Sequence, residues 1–399
     1  MGQDPAFALL LACTDFPSDA AAKDRIRATA SVLGDDWKSF LDCVKRHRMS
    51  PLALRGLVSA GVMPPAQLKA LAQSDTLETF VSIAESKRLL EVFRKATIEA
   101  IILKGPVLSQ LLYDDPTLRQ SKDIDLLVEW SAFEGAIVCL EADGYVLKQE
   151  RPPFGSSRVN IWRRGTKDVT LSHPETGHLI ELHHRLLAPE AFITGLGVAD
   201  ADHWVSIGGT RFRTFRQPDQ FAYLAAHGAN SRWHRLKWLA DMRAMLAGLS
   251  SPELEKLLEH CRFHGVERCG ALAMLLCHHL WGQILPDRVA ELQAEDPWLR
   301  TLEHQSLQKL LASGPRLPLA GRTRELGAGF ALREGFAFKR SVLALHIYHQ
   351  SLVSRLPLPN ALRYLYGPAR MFDWILERIR APIAHTTSGN QRRSERNNR

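Results

Sequence analysis

The chain has 399 residues, 45% hydrophobic and 24% charged, with a formal net charge of +8. That length predicts two or three subdomains and enough apolar matter for a real core, which sets aside disordered and fibrous classes. Part of the positive charge is terminal, since Arg392, Arg393, Arg396 and Arg399 stand against Glu395, so the remaining body is mildly basic. Such a balance suits a polyanionic ligand such as a triphosphate without requiring nucleic acid. Cys13, Cys43, Cys139, Cys261, Cys269 and Cys277 contain no CxxC pair. Reduced thiols and a cytoplasmic location are therefore expected, in place of a disulfide framework.

Residues 1–98 read as helical. Phe7 to Ala12 is apolar and ends at Cys13, like a lipoprotein cleavage box, but Asp4 and the absence of a preceding Lys or Arg predict an ordinary first helix. Trp37, Phe40, Leu41 and Val44, then Leu89, Leu90, Val92 and Phe93, recur at helical spacing. Pro51, Gly61 and Pro64-Pro65 punctuate the region into short helices. No uncharged apolar stretch reaches the roughly 20 residues of a membrane span.

Residues 99–216 read as an α+β core with a mixed sheet. Ile101-Ile102-Leu103 is a buried strand that runs into Lys104-Gly105-Pro106, a tight turn before a helix with the stripe Val107, Leu108, Leu111 and Leu112. Asp114-Asp115-Pro116 ends that helix, and Ile124 to Val128 forms the next strand. Ala136 to Leu140 is helical and Tyr145 to Leu147 extended. Val159–Trp162, Asp168–Leu171 and Leu179–Leu186 are predicted as further strands. Arg211, Phe212, Arg213, Phe215 and Arg216 alternate as an amphipathic strand does.

Residues 217–380 return to helix, with Phe221–Leu246 broken near Asn230-Ser231 and the pattern continuing over Leu254–Ile284. Cys269, Cys277, His278 and His279 fall in that helical pattern, where core packing is the better reading of the two thiols than metal ligation. Residues 315–335 read as a loop rich in Gly, Pro and Arg, and 381–399 as a disordered basic tail.

Asp123-Ile124-Asp125-Leu126-Leu127-Val128 carries the chemistry. In a strand, alternate side chains share a face, so Asp123 and Asp125 point one way while Ile124 and Leu126 enter the core. Two adjacent carboxylates repel unless a cation lies between them, and Mg2+ (or Mn2+) bound to triphosphate oxygens fits that need. A lone DxD is also common on a solvated strand face. Here its neighbourhood adds weight: Lys104 and Gly105 lie at a strand-to-helix turn where a lysine and backbone N–H groups meet phosphates. Arg119 and Lys122 flank the pair. Glu181, on the apolar run Leu179-Ile180-Glu181-Leu182-His183, is the candidate third carboxylate, with His183 on its face and His184 on the other.

These motifs together resemble the uncharacterised nucleotidyltransferase family related to the AbiEii-type and DNA polymerase β-like superfamily. The resembling residues are Lys104-Gly105, Tyr113, Asp115-Pro116, Arg119, Asp123 to Val128 and Ile180 to His183. Leu224, His227-Gly228-Ala229, Trp233 and Arg235 to Asp241 continue the likeness, which covers roughly residues 30–250. The resemblance implies a polymerase β-like core flanked by helical regions. It implies transfer of a nucleoside monophosphate from an NTP to a hydroxyl of an unknown small molecule, peptide, protein or RNA. Asp123, Asp125 and Glu181 would hold the metal, and Lys237, at i and i+4 with Asp241, would reach the triphosphate. One departure stands out. The wider superfamily places a Ser or Thr hydroxyl at the phosphate turn, where this chain has Gly105-Pro106; Lys104 and Ser109 are the candidate substitutes. That departure motivates an alternative, a catalytically degenerate nucleotide-binding or scaffolding protein. Other chemistries lack their motifs: no GxxxxGK[ST] loop, no HxD…N with DFG, and no GxSxG elbow occur.

Overall fold

The computed structural model of the protein describes residues 4–15, 19–311, 327 and 329–372. The expected basic tail at 381–399 and most of the loop expected at 315–335 lie outside the described residues.

Five helices precede the first strand: α1 (Pro5–Cys13), α2 (Ala20–Leu33), α3 (Trp37–His47), α4 (Ser50–Ser59) and α5 (Ala66–Lys95). Asp4 caps α1 by accepting from the Ala6 N–H at 3.0 Å, and nearly every side chain of this apolar helix is buried. It is therefore a core element, as the missing basic flank suggested. Against the expectation of short helices throughout, α5 runs unbroken for 30 residues, because no Gly or Pro follows Pro65 until the strand begins.

The sheet contains β1 (Ala100–Ile102), β2 (Ile124–Val128), β3 (Val146–Leu147), β4 (Asp168–Ser172) and β5 (Leu179–His183) in the order β1-β2-β5-β4-β3. Only β2 and β5 run parallel; the other pairs are antiparallel. Between the strands lie α6 (Gly105–Tyr113) and α7 (Trp130–Ala142). Period-two alternation divides the side chains between two cores. Ile124, Leu126, Val128, Ile180 and Leu182 join a cluster with Phe93, Phe133 and Trp162 on one face. Leu127 joins the other cluster, made with α1, α3 and the later helices. With hydrophobic packing on both faces, Asp125 and His183 of the central strands are enclosed, while Glu181 stays partly exposed.

The expected strand at Val159–Trp162 is instead a helix, α8 (Val159–Arg164). Ile161 and Trp162 are both buried, and their N–H groups close back onto Arg158 O at 3.0 and 2.9 Å, as a helical turn requires, instead of reaching a neighbouring strand. The strand expected over Leu179–Leu186 stops at His183. A hairpin follows, β6 (His203–Ile207) and β7 (Thr210–Thr214); the arginine-rich alternation pointed to β7, whereas β6 carried no comparable signal. Its two-residue turn, Gly208-Gly209, has φ of +54° and +78°, the left-handed pair that a tight hairpin turn requires.

The helical region opens with α9 (Gln217–Asn230), α10 (Leu236–Leu246), α11 (Ser251–Phe263), α12 (Glu267–Trp281), α13 (Asp287–Glu295) and α14 (Pro297–Leu311). Gln220 on α9 donates to Leu103 O at 2.9 Å, and Thr214 donates to Ile102 O at 2.8 Å, so α9 and the hairpin are tied to β1. Cys269 and Cys277 are buried in α12, and all six cysteines are free thiols. Among the described residues no helix is long and apolar enough to cross a membrane.

Candidate active site

Asp125 and Glu181 face each other across the parallel pair, being register partners of β2 and β5. His183, two residues beyond Glu181, shares that face. Its Nε2 lies 3.3 Å from Asp125 Oδ1, 3.5 Å from Glu181 Oε2 and 3.8 Å from Asp168 Oδ2. Asp168 arrives from β4, where it pairs in register with His183. Asp123 precedes β2 and accepts from the Ser121 hydroxyl at 3.3 Å. Donor atoms of Asp125, Glu181 and His183 all lie within 4.8 Å of one another.

Two lysines enter this acidic group. Lys104 Nζ donates to Asp125 Oδ1 at 2.8 Å with both side chains almost fully buried. Lys167 pairs with Asp168 and lies 3.8 Å from Glu181 Oε2. Lys104 reaches inward because the chain turns sharply at Gly105, whose φ of +68° is left-handed and favours glycine. Helix α6 then starts with Pro106 in its first turn and no side-chain cap, leaving the remaining first-turn N–H groups without intrahelical partners.

Charge and burial set the protonation of the group. Burial alone raises Asp125, but Lys104 and His183 outweigh it and hold the carboxyl well below the usual range. Burial disfavours the Lys104 ammonium, yet Asp125 and Tyr223 reverse that and keep it above its ordinary value. Asp123 has no such partner. Burial, followed by Asp125 and Glu181, pushes it up.

Both ring nitrogens of the buried His183 lack a hydrogen bond, and so does the buried Tyr223 hydroxyl beside Lys104, whose Nζ lies 5.9 Å from the ring centroid. Buried polar atoms without partners are costly, and their concentration against four carboxylates suits an additional cation. The oxygen-rich donor set fits Mg2+ or Mn2+, with His183 adding a nitrogen that the latter tolerates well.

The other anticipated residues occupy a neighbouring layer. Arg119 is buried; its Nε donates to Asp241 Oδ2 at 2.9 Å, and Tyr113 donates to the same carboxylate at 3.3 Å. Ser109 is fully buried; it donates to Asp115 O at 2.6 Å and accepts from the Arg119 N–H at 3.0 Å. Both side chains thus fix the segment that leads into Asp123. Lys122 is exposed. Lys237 donates to Gln120 O at 2.9 Å. Burial and then Arg119 hold its ammonium well below the usual lysine range, against the pull of Asp241 and Asp123. Asp241, its i+4 neighbour, is engaged by Arg119. His184 turns to the opposite face and packs edge-on against Trp130 and Phe133.

Sequence reasoning did not single out Asp168, Lys167, Tyr223 or a chemical role for His227. On α9, Tyr223 and His227 lie one turn apart with rings 6.1 Å between centroids. Burial and then Lys104 and Lys167 depress His227 well below its ordinary range, and its ring packs edge-on against Trp238. Their i, i+4 spacing was visible; the packing of α9 over the sheet was not.

No curated protein matches the chain. A family described as uncharacterised nucleotidyltransferase matches it over residues 34–282, a span that contains every strand of the described residues and all the site residues above. A carboxylate group set in register on a mixed sheet, with lysines at its edge, is thus framed by a match over well over half of its length, and the chain belongs to the uncharacterised nucleotidyltransferase family.

Proposed function

We propose that the protein is a metal-dependent nucleotidyltransferase that moves a nucleoside monophosphate from an NTP to a hydroxyl acceptor. The carrying observation is the Asp125–Glu181 register pair, with Asp123 and His183 beside it and His183 left without hydrogen bonds. In this reading residues 99–216 form a polymerase β-like core, and the α9–α10 pair supplies its facing wall. Asp123, Asp125 and Glu181 would hold Mg2+ (or Mn2+), which when bound supplies charge neutralisation and polarises the phosphoryl oxygens.

The chain's own groups do the rest. The uncapped start of α6 and Lys104 meet phosphate oxygens, with Pro106 removing one N–H from that set. Lys237, next to Asp123, meets the triphosphate and is recharged by it. Arg119 and Ser109 hold the segment before Asp123 in place. Glu181, far more exposed than Asp125, accepts the proton of the acceptor hydroxyl. The new bond joins the acceptor oxygen to the α-phosphorus; the bond from that phosphorus to the bridging oxygen breaks, and pyrophosphate leaves.

Ser109 favours the second reading, a degenerate nucleotide-binding or scaffolding protein. Its hydroxyl is engaged by Asp115 and Arg119, so it does not replace the donor missing at Pro106. Incubation of the purified protein with each α-labelled NTP, Mg2+ and a cell lysate separates the two. Transfer by the wild type and none by Glu181→Gln supports the enzyme; no transfer, together with NTP binding that is weak or indifferent to Mg2+, supports the degenerate module. Transfer that Glu181→Gln leaves unchanged rejects the assignment of the site.

A further inference from the structure

A second cluster of ligating side chains lies away from the carboxylates. Asp219 sits in the first turn of α9, while His260 and His264 lie one turn apart at the C-terminal end of α11. His260 Nε2 is 2.7 Å from Asp219 Oδ1, and His264 Nε2 is 3.6 Å from that same oxygen. Donor atoms of all three residues fall within 4.8 Å of one another. The His264 side chain is 4% exposed, Asp219 16% and His260 30%, so the cluster is enclosed with one side open to solvent.

The tautomer of His264 is fixed by its other nitrogen. Nδ1 lies 2.7 Å from Thr194 O, and a carbonyl oxygen only accepts, so Nδ1 carries the proton. With Nδ1 so engaged, Nε2 is the nitrogen left to face Asp219, and with His260 Nε2 it places two imidazole nitrogens and a carboxylate around one enclosed point. A backbone carbonyl on the distal nitrogen is also the usual support for a metal-ligating histidine, because it orients the ring and strengthens the donor.

We propose that Asp219, His260 and His264 bind a zinc-class divalent ion, with water in the solvent-facing fourth position. Two imidazoles and one carboxylate are the donor set of such ions, whereas the carboxylates around Asp125 suit Mg2+. Tetrahedral ligation at ordinary zinc bond lengths places neighbouring donors about 3.3 Å apart. The observed separations of 2.7 and 3.6 Å bracket that value. Thr194, hydrogen-bonded to His264 through both its N–H and its carbonyl, belongs to the segment after β5, so the ion would join that segment to α9 and α11. The proposal does not depend on the transfer reaction.

The test is titration of the chelator-treated full chain with Zn2+ and with Co2+ in excess Mg2+. The expected result is one tight equivalent, with a Co2+ visible spectrum of nitrogen and oxygen ligation and no thiolate charge-transfer band. It should persist in the Asp123→Asn/Asp125→Asn double variant and weaken at least about 10-fold in His260→Gln, whose partly exposed site tolerates an isosteric change. His260→Ala/His264→Ala, checked for fold by circular dichroism, should abolish it. Absence of a tight equivalent in the wild type overturns the proposal. So does one that survives both histidine variants, or one that shows thiolate ligation.

Discussion

Two buried ionic groups lie side by side in this molecule and differ in whether their charges close. Around Asp241, one carboxylate meets one guanidinium and one phenol, and Arg119 is enclosed with its partner. Around Asp125, four carboxylates meet two lysines and a histidine whose ring nitrogens find no hydrogen bond. The first arrangement is balanced and holds a loop. The second has a surplus of carboxylates over cations and buried ring nitrogens without hydrogen bonds, which is what the proposed metal site would use. The contrast shows how to separate a structural ion pair from a site without reference to conservation.

Removing one cation from each group tests this contrast most strongly. Lys104→Met and Arg119→Met should each cost about 3–5 kcal/mol, since each leaves a buried carboxylate unpaired. Denaturant unfolding with and without Mg2+ tells them apart. Mg2+ should restore part of the loss in Lys104→Met and nothing in Arg119→Met; equal rescue of both would erase the distinction.

Glu181→Gln comes next. Transfer should fall at least about 10²-fold, while unfolding in metal-free buffer shifts little because the side chain is partly exposed. A large loss of stability would make Glu181 a structural residue instead.

A smaller effect concerns pH. Asp123 has its folded pKa raised above 3.8, so the fold favours its protonated form. Its contribution to stability therefore falls as pH rises from the ordinary value through the raised one. Asp125 is depressed and behaves oppositely, losing its contribution only below the ordinary range. In metal-free buffer, as pH rises above the ordinary carboxylate range, the Tm of Asp123→Asn should increasingly exceed that of the wild type. A constant gap would mean that Asp123 does not feel its neighbours.

The smallest effect is a fraction of a proton. A triphosphate near Lys237 raises its depressed pKa, so binding at a pH above that depressed value takes up protons. Calorimetry in buffers of different ionisation enthalpy reads the uptake, which Lys237→Gln should remove.

The parts legible in the sequence were those governed by local periodicity. Asp123 to Leu126 and Ile180 to His183 each alternate polar and apolar residues, so their shared face could be read directly. Lys104-Gly105-Pro106 declared its turn through residue chemistry alone. Asp168 was different: it joins the group only because β4 pairs antiparallel with β5 in a register that puts it opposite His183, and no local signal encodes that register. The Asp219, His260 and His264 cluster joins helices 41 residues apart in sequence. Val159–Trp162 misled because a short, largely apolar run suits a strand or a single helical turn equally.

Lys104 has one practical consequence. By sitting against Asp125 it acts as a resident counterion, so the chain's architecture does not hinge on a borrowed one. On the proposed metal dependence, a preparation stripped with chelator should stay folded while losing transfer, and regain it on remetallation without passing through an unfolded state.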